Sequence, residues 1–577
     1  MKLSWRRFAF FKKDALAEGE GALGAALGLP EEAVVTCSCL VETAPRRDVG
    51  DILVAEAAEP EAKVEIRALV VVGDDGGRVV TCGGRLEGAS YLPPFGGRAL
   101  LAAGARFSGD ASDCCVAAIG EDSRGADGAA THVLRCFAVG ARGFEGLFSE
   151  LLLEDVLGIP TALAVRGDGG AAAAGFATGV VAFYGLDAIR PASAQQAPKK
   201  GMTLGALAAS TKRSASLVKL GSVAAPSGAP AACVAFTTDA RHCFFGTRLA
   251  NPTGDDVDAG GEVCAVRLPE DERKRGAYAN LAPRVLDDRG CGPRCGAFDG
   301  SEFVVARRDG LYFYTPEDRG GALGFDGDKT ALACVGAGYV AVASSHEKSR
   351  RNEVHVYDVA RRRVAHMYRL PAGGACVALH GTPPSKPPPS DGDGVSSTAP
   401  PPFLCSVLVE ASNGSLVRFD EKPTPEKLDV LFRMNMFATA IQVGAAARLR
   451  PGAIMEIYKM YGDHLYKKCD WTGAVEQYAR TVGHVEPSYV IRRFLDAAKI
   501  GHLATYLEQA HAPEHYGEAA RDGDEAPPTT TRPELTTLLV NCYGQGRTRV
   551  IQRRFNVSVP RARVLEKAPT LRERSER

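Results

Sequence analysis

The chain has 577 residues, of which 45% are hydrophobic and 24% are charged. This length exceeds what one ordinary globular core holds, so we expect either a large β-sheet array or at least two domains. Lysine and arginine (69) balance aspartate and glutamate (69), so no net field draws the whole protein onto nucleic acid or an anionic membrane. The 16 cysteines follow no repeating spacing, which favours reduced thiols in the cytosol over a disulfide framework.

Two apolar stretches were tested as membrane or export signals. The N-terminal run of residues 5–11 stops at Lys12 and is too short for the hydrophobic core of a secretion signal. The longest uncharged stretch, residues 169–186, is mostly Ala and Gly, which transfer poorly into a bilayer, and we expect Gly175 and Gly179 to mark strand boundaries. The sequence therefore predicts no secretion signal and no transmembrane span.

Short apolar runs separated by glycine-containing turns dominate the chain up to about Asp420. The dipeptides Asp309-Gly310 and Asn413-Gly414 are typical of tight hairpins whose turn residues adopt positive backbone angles. Hairpins repeated over this length, with no helical period between them, favour a β-propeller over a single sandwich or barrel. We assign residues 1–422 to this propeller.

Two segments interrupt the array of hairpins. They are residues 195–209 and the Pro/Ser/Gly-rich residues 382–402, and the second is predicted to be a disordered loop between strands because it has almost no apolar side chains to bury. A formal Trp-Asp repeat is absent, since the two tryptophans are Trp5 and Trp471. Sequence pattern alone therefore does not count the blades.

After Pro425 the apolar residues recur at helical spacings of three and four. The predicted stripes contain Leu428, Leu431 and Phe432, then Ile454, Ile457, Tyr458, Tyr461 and Leu465, then Ala474, Val475, Tyr478 and Val482, then Val490, Phe494 and Leu495, then Leu503, Tyr506 and Leu507. The predicted helix starts lie near Gly452, Gly473, Pro487 and Gly501. Short amphipathic helices that cannot bury their own stripes are typical of an α-solenoid, which we place at residues 425–543.

Two glycine motifs resemble phosphate-binding loops. Residues 19–24 match the dinucleotide-binding pattern, but a charged segment precedes them where that motif needs a strand, so we interpret them as a flexible insertion. Residues 327–330 lack the glycine directly before Lys329, and with it the backbone cradle for phosphate. The sequence predicts no cofactor.

The remaining candidates for chemistry are isolated. Cys291 and Cys295 have no second ligand pair for zinc and are expected to be half-buried thiols on blade strands. His346 and His355 lack a companion carboxylate, and the acidic pairs Asp74-Asp75 and Glu121-Asp122 are expected to be solvated turn residues. We therefore predict no catalytic, cofactor-binding or metal-binding residue, and no enzyme.

Several segments resemble one protein family in the same order along the chain. Residues 5–11, 290–295 and 312–320 are similar to its propeller, and residues 461–466, 473–478 and 486–497 are similar to its solenoid. The chain is thereby identified as a member of the vacuolar protein sorting-associated protein 11 family, core subunits of the HOPS and CORVET tethering complexes. The resemblance implies a WD40-like propeller, with seven blades expected, followed by a solenoid of clathrin-heavy-chain-repeat type.

The resemblance is weak between about Phe11 and Ala117 and stops after Tyr543, where family members continue into more solenoid and a RING-type zinc domain. Residues 544–577 are rich in arginine and are expected to be a disordered or non-native tail, with contact to phosphates or anionic lipid as the alternative. We favour a truncated or misassembled gene that reads into non-coding sequence, and a genuine short isoform is the alternative. Zinc is not predicted.

The resemblance implies a cytoplasmic scaffold that is peripheral on late endosome, lysosome or vacuole membranes and promotes vesicle docking before SNARE-mediated fusion. Its implied partners are the other class C subunits and, indirectly, SNAREs and Rab GTPases. Another propeller-solenoid coat or transport scaffold, of the clathrin-like, intraflagellar or nuclear-pore type, is the alternative because the fold does not separate these. An enzyme using the propeller channel is the rival from another class. Histidines and carboxylates on the innermost strands would favour it, and a small apolar lining would oppose it.

Overall fold

The computed structural model describes residues 7–542, with gaps at 20, 31–32, 43–67, 84–85, 87, 107–113, 123–130, 141–142, 187–216, 249–258, 270–277, 280, 325–326, 337, 347–350, 372–373, 382–404, 448, 496–498 and 511–536. The chain forms two compact units, Met1–Pro423 and Thr424–Arg577. The two interrupting segments at 195–209 and 382–402 and the tail at 544–577 lie outside the described residues.

The strands of the first unit form seven four-stranded antiparallel sheets within the described residues, which are the blades of a β-propeller. Blade 1 is β2 (Val35–Glu42), β3 (Ala68–Asp74), β4 (Val79–Gly83) and β5 (Ser90–Leu92). Blade 2 is β6 (Ala99–Arg106), β7 (Cys114–Asp122), β8 (Thr131–Gly140) and β9 (Gly143–Leu152). Blade 3 is β10 (Pro160–Val165), β11 (Ala171–Phe176), β12 (Val180–Gly185) and β13 (Val218–Ala224), after a 3-10 turn at Asp155–Leu157.

The next three blades repeat this order of strands. Blade 4 is β14 (Ala231–Phe236), β15 (His242–Thr247), β16 (Ala259–Arg267) and β17 (Pro283–Arg289). Blade 5 is β18 (Gly296–Phe298), β19 (Phe303–Arg307), β20 (Gly310–Tyr314) and β21 (Arg319–Gly324). Blade 6 is β22 (Asp328–Val335), β23 (Tyr339–His346), β24 (Arg351–Asp358) and β25 (Arg363–Arg369).

Blade 7 joins the two ends of the unit. It is β26 (Cys376–Gly381), β27 (Ser406–Ala411) and β28 (Leu416–Glu421), completed by β1 (Phe11–Ala17) from the start of the chain. Phe11 pairs with Glu421, and the antiparallel register runs on through β1. The backbone amides of Phe8 and Phe10 donate to Val364 and Ala365 of blade 6, each at 2.9 Å. The ring is therefore closed by hydrogen bonds between residues some four hundred positions apart.

Most innermost strands carry a β-bulge near their first residue. The paired register skips one residue in six of the seven, at 36, 100, 161, 232, 330 and 377. The Thr161 hydroxyl donates to the Ala231 carbonyl of the next blade at 2.6 Å. A bulge bends the strand and increases its twist, which suits strands that curve around a central axis.

Small residues allow neighbouring blades to approach closely. Every residue of β11 is buried, although its sequence is only Ala171–Phe176 with four alanines and a glycine. A Cβ on Gly175 would lie 2.7 Å from the Ala231 Cβ of blade 4, so glycine is required there. Aromatic stacking fills the wider spaces, as between Phe244 and Phe303, whose ring centres are 5.0 Å apart. The inter-blade core explains the Ala/Gly-rich texture of the sequence.

The second unit is a series of short helices. They are α2 (Thr424–Arg433), α3 (Phe437–Ala446), α4 (Pro451–Lys467), α5 (Trp471–Ala479), α6 (Pro487–Phe494) and α7 (Ile500–Ala510), and residues 537–542 are also helical; a single-turn helix, α1 (Ala22–Ala26), belongs to the first unit. Proline occupies the first position of α4 and α6, where its missing N–H costs no hydrogen bond. The Asp470 side chain caps α5 by accepting from the Gly473 amide at 3.0 Å. Apolar residues from α5, α6, α7 and 537–542 form one shared core.

The structure confirms the propeller, its seven blades and the helical region, and corrects local predictions. Gly179 and Gly414 adopt φ angles of 77° and 75° in hairpin turns, as expected. Gly175 lies inside β11 and is not a strand boundary. The turn predicted at Asp309-Gly310 is also wrong in detail: Gly310 begins β20 without a positive φ, and its missing Cβ makes room for the Leu323 carbonyl. None of the described helices combines the length and apolar composition needed to span a membrane.

Candidate functional site

The propeller encloses a central channel with a cavity of about 440 Å³. Residues from the innermost strands of all seven blades line it, and most are small and apolar, among them Ala102, Ala103, Ala162, Ala164, Ala232 and Ala333. This lining is the property that we expected to oppose an enzyme. One side of the cavity is polar.

The polar side is a chain of three hydrogen-bonded side chains. Ser38 of β2 lies 2.8 Å from His380 Nε2 of β26, and its hydroxyl donates to the Glu410 carboxylate of β27. Because a hydroxyl has one proton to give, His380 Nε2 is the donor in its own contact with Ser38. Burial lowers the pKa of His380 to about 4, with a smaller effect from Arg294, so its imidazole is neutral at physiological pH.

The direction of the hydrogen bonds among Ser38, His380 and Glu410 does not favour nucleophilic chemistry. In a serine, histidine and acid relay, the acid holds the histidine and the histidine takes the serine proton. Here the proton of Ser38 points at Glu410, and His380 donates to Ser38. The three groups thus hold blades 1 and 7 together at the channel wall, and burial raises the pKa of Glu410 against the opposing hydrogen bond from Ser38.

Buried arginine-carboxylate pairs recur on the blades. Asp74 is fully buried and lies 2.7 Å from the Arg78 Nε, and Asp122 lies 3.0 Å from Arg135 Nη2 with both side chains less than a tenth exposed. The expectation that these turn acids are solvated is therefore wrong. Arg78 lies next to β4 and Arg135 lies on β8, and in each case the ion pair with the acid offsets the cost of burial.

A larger cluster joins blade 4 to blade 5 around Asp287 of β17. Its Oδ2 accepts from the Tyr314 hydroxyl at 2.6 Å, from Arg307 Nη1 at 3.2 Å, and lies 3.2 Å from Arg319 Nη1. Burial works against ionisation of Asp287, but these donors and the Arg289 amide outweigh it, so the pKa of Asp287 is lowered. Arg307 also stacks on Tyr312, 4.6 Å from the ring centre. Tyr312, Tyr314 and Arg319 of this cluster lie within residues 312–320, one of the segments that carry the family resemblance.

A similar cluster in the helical unit centres on Asp463 of α4. Its carboxylate accepts from the hydroxyls of Tyr478 and Tyr489 and from Arg493 Nη1, each at 2.6 Å. Arg493 in turn stacks on Tyr489, 4.4 Å from the ring centre. Burial and the bond to Asp463 raise the pKa of Tyr489 to about 12. One carboxylate therefore ties together α4, α5 and α6.

The cluster continues as alternating aromatic and cationic side chains. Lys499 Nζ donates to the Tyr466 hydroxyl at 2.8 Å and lies 4.4 Å from the Trp471 ring centre. The Tyr466 hydroxyl donates to the Arg493 carbonyl at 2.7 Å. These contacts fix the side chains of a half-exposed face, which is the kind of preorganised surface that binds another protein with little loss of side-chain entropy.

The predicted glycine motifs do not form nucleotide sites. β1 directly precedes residues 19–24 and α1 follows, so both the expected lack of a strand and the interpretation as a flexible insertion are wrong. Leu23 is fully buried and its amide donates to the Gly414 carbonyl at 3.0 Å, which docks this segment on blade 7. α1 has only five residues and the sheet is antiparallel, so no dinucleotide fold exists here. Lys329 Nζ donates to the carbonyls of Gly327 and Arg308.

Cysteine and histidine candidates are placed differently from expectation. Cys291 and Cys295 lie between β17 and β18, not on blade strands, and both are fully buried, not half-buried. The Cys291 sulfur lies 3.4 Å from that of Cys233, and none of the sixteen cysteines, all of which the structure describes, forms a disulfide. His355 does have a companion carboxylate, Glu353, at 3.5 Å, whereas the His346 side chain lies outside the described residues. Within the described residues no group of three or more His, Cys, Asp or Glu side chains is arranged to hold a metal ion.

Comparison with known proteins gives two family matches in chain order. Residues 275–378 match the PEP5/VPS11 N-terminal family, and residues 466–522 match the PEP5/VPS11 clathrin repeat family. The vacuolar protein sorting-associated protein 11 homologues of mouse and human are each 31% identical over 280 residues, which is 45% of this chain and 26% of theirs. The Arabidopsis thaliana homologue is 31% identical over 248 residues, or 42% of this chain and 22% of its own length.

A seven-bladed propeller followed by clathrin-type helical repeats defines a scaffold class of protein, in which both units present surfaces to partners. The two family matches and these homologues together support the vacuolar protein sorting-associated protein 11 family for this chain. The matched region spans about a quarter of the length of the mouse and human relatives.

Proposed function

We propose that this protein is a scaffold subunit of a membrane-tethering complex on endosomes and on lysosomes or vacuoles. In that role it promotes vesicle docking and SNARE-mediated fusion through protein contacts. The observation that carries the proposal is the order of the two family matches, one on the propeller and one on the helical unit, in a chain whose fold belongs to a scaffold class.

The described surfaces have the properties of binding surfaces and not those of a catalytic site. The propeller is held rigid by buried ion pairs between and within blades, and the helical unit fixes its aromatic and cationic side chains around Asp463. In the hydrogen-bond order at Ser38, His380 does not take the place of a base that accepts the Ser38 proton. We therefore propose action by contact and not by catalysis.

The proposed partners are the other class C tethering subunits, and through them SNAREs and Rab GTPases. The chain would be cytoplasmic and peripheral on the membrane, held there by the assembled complex. Membership of HOPS or of CORVET is a finer assignment that depends on which additional subunits are recovered with it.

The test is purification of the tagged chain from its own cells at low salt, followed by mass spectrometry of the proteins that accompany it. Recovery of class C subunits supports the proposal. Recovery of clathrin-like, intraflagellar or nuclear-pore subunits instead supports the alternative scaffold. A folded chain that brings down neither contradicts both.

Two matched variants locate the contact. Leu495 of the helical unit and Val156 of the propeller are apolar side chains that are 55% and 88% exposed, so a charge at either site leaves the core intact. Loss of partners with Leu495→Glu places the contact on the helical unit, and loss with Val156→Glu places it on the propeller.

A further inference from the structure

Arg294 lines the central cavity, and its backbone makes for blade 5 the contacts with neighbouring blades that a bulge residue could otherwise make. β18, the innermost strand of that blade, has only three residues and shows no bulge against β19. The residues just before it supply the contacts instead: the Arg294 amide donates to the carbonyl of Ala232, the bulge residue of blade 4, at 3.3 Å. The Arg294 carbonyl accepts from the Leu332 amide of blade 6 at 2.8 Å.

This placement puts a charged side chain in a ring of uncharged ones. The six bulge positions are Thr36, Leu100, Thr161, Ala232, Thr330 and Val377. Arg294 holds a φ of 58°, an uncommon backbone conformation for a residue other than glycine, asparagine or aspartate. Its Nη1 reaches the Val377 carbonyl of blade 7, so the side chain lies across the mouth of the cavity.

The guanidinium of Arg294 has no carboxylate partner among the described residues. Among the described residues it makes no ion pair, and Val377 takes one of the five N–H donors of its guanidinium. Glu410, a carboxylate whose pKa burial raises and the charge of Arg294 in part lowers, accepts the hydrogen bond from the Ser38 hydroxyl. A planar guanidinium with free donors at the edge of a partly apolar cavity matches the geometry of a carboxylate.

We propose that the central channel is a binding site for a carboxylate, which Arg294 holds in a bidentate contact at the mouth while the small apolar lining takes the aliphatic part of the ligand. The cavity of about 440 Å³ is of the size that binds small ligands, and a mostly apolar lining with few convergent polar groups is typical of such sites. The proposal does not depend on the tethering role.

The carboxylate has two possible sources, a free organic acid or a glutamate side chain of a peptide. The probe for a free organic acid is glutarate. The probe for a peptide side chain is N-acetyl-glutamate α-methylamide, whose γ-carboxylate is free. The neutral control is N-acetyl-glutamine α-methylamide. Binding to the full chain is measured by saturation-transfer NMR and by equilibrium titration. We expect both acids to bind and the glutamine compound to bind at least about tenfold more weakly, because it lacks the charge that Arg294 recognises.

The variants are Arg294→Gln, Arg294→Lys and a matched control, Arg362→Gln. Arg362 is also an exposed arginine with a positive φ, 48°, but it lies on the hairpin between β24 and β25, away from the channel. We expect at least about a tenfold loss of acid binding with Arg294→Gln, a smaller loss with Arg294→Lys, which keeps charge without the planar fork, and no change with Arg362→Gln.

Thermal unfolding of each variant shows that loss of binding is not loss of fold. Binding of glutarate alone assigns the site to free acids, and binding of the blocked glutamate alone assigns it to a peptide side chain. Equal binding of the glutamine compound, unchanged binding in Arg294→Gln, or no binding of either acid to the folded chain would overturn the proposal.

Discussion

Arg307 and Asp287 form a fully buried ion pair between blades 5 and 4, with Nη1 and Oδ2 at 3.2 Å and side chains 0% and 2% exposed. The guanidinium Nε also donates to the Gly290 carbonyl at 2.8 Å. Removing Arg307 leaves the buried Asp287 with only the half-exposed Arg319 as a cation, and a buried carboxylate that loses its buried partner is destabilising. The pair therefore makes the stability of the ring depend on one contact between blades.

The first prediction concerns this pair. Arg307→Met is expected to lower the free energy of unfolding of the propeller by about 3 kcal/mol, because Asp287 loses its buried cation and keeps only the half-exposed Arg319 at 3.2 Å. The matched control is the next residue: Arg308 is 57% exposed and pairs with Asp328 at 3.1 Å, so Arg308→Met should cost less than about 1 kcal/mol. Chemical denaturation of both variants checks this, and equal losses would contradict it.

The second prediction concerns the carboxylate that joins three helices. Asp463→Asn weakens three charge-assisted hydrogen bonds and is expected to destabilise the helical unit by about 2 kcal/mol. Glu456→Gln is the control, because Glu456 is 55% exposed and pairs with Lys459 on the same helix.

Trp471 supplies the optical probe for that experiment. In a Trp5→Phe background, Trp471 of α5 is the remaining tryptophan, so its fluorescence reports unfolding of the helical unit. The midpoint in urea should fall for Asp463→Asn and stay nearly unchanged for Glu456→Gln. A helical unit insensitive to Asp463→Asn would show that solvent replaces the lost bonds.

Period-two and helical patterns in the sequence predicted the two architectures because each pattern is local. The stripe at Ala474, Val475 and Tyr478 is indeed buried in α5, whereas α3 was missed because its Ala-rich segment 437–446 has no clear stripe. The buried state of Asp74 and Asp122 was also missed, since an acid at a turn has the same sequence pattern whether water or an arginine meets it. The clusters at Asp287 and Asp463 combine residues brought together only by folding.

The closing strand could not be predicted for the same reason. No local sequence pattern in β1 identifies β28 as its partner, because the two strands are far apart in the sequence and pair only when the ring closes. The sequence showed an apolar run at residues 5–11, and the structure shows that Phe8 and Phe10 of this run bind blade 6 while Phe11 starts the pairing with blade 7.

The third prediction tests that closure. Phe11 is 2% exposed and packs edge-on against Tyr339 at 5.6 Å, so Phe11→Ala should cost about 3 kcal/mol or more of propeller stability. Lys12, the next residue of β1, faces solvent, and Lys12→Ala should change stability by less than about 0.5 kcal/mol. Hydrogen exchange of β28 amides should speed up in Phe11→Ala alone. Unchanged exchange there would mean that β1 contributes little to closure.

The last prediction is a pH dependence that His366 gives to the propeller. Burial, with help from the charge of Lys422, lowers the pKa of His366 to about 4, and its Nδ1 has no hydrogen-bond partner within the described part of the chain. As the pH falls from 6.5 towards 4, His366 is protonated in the unfolded chain but stays neutral in the folded chain. The free energy of unfolding therefore falls, and at pH 5 it is about 2 kcal/mol lower than at neutral pH. The His366 ring lies tilted against that of Phe419, with ring centres 4.9 Å apart, so phenylalanine is the aromatic replacement that keeps this contact and does not titrate. His366→Phe should match the parent at pH 7.5 and exceed it at pH 5 in urea denaturation, whereas parallel stabilities at both pH values would show that His366 titrates alike in the folded and unfolded chains.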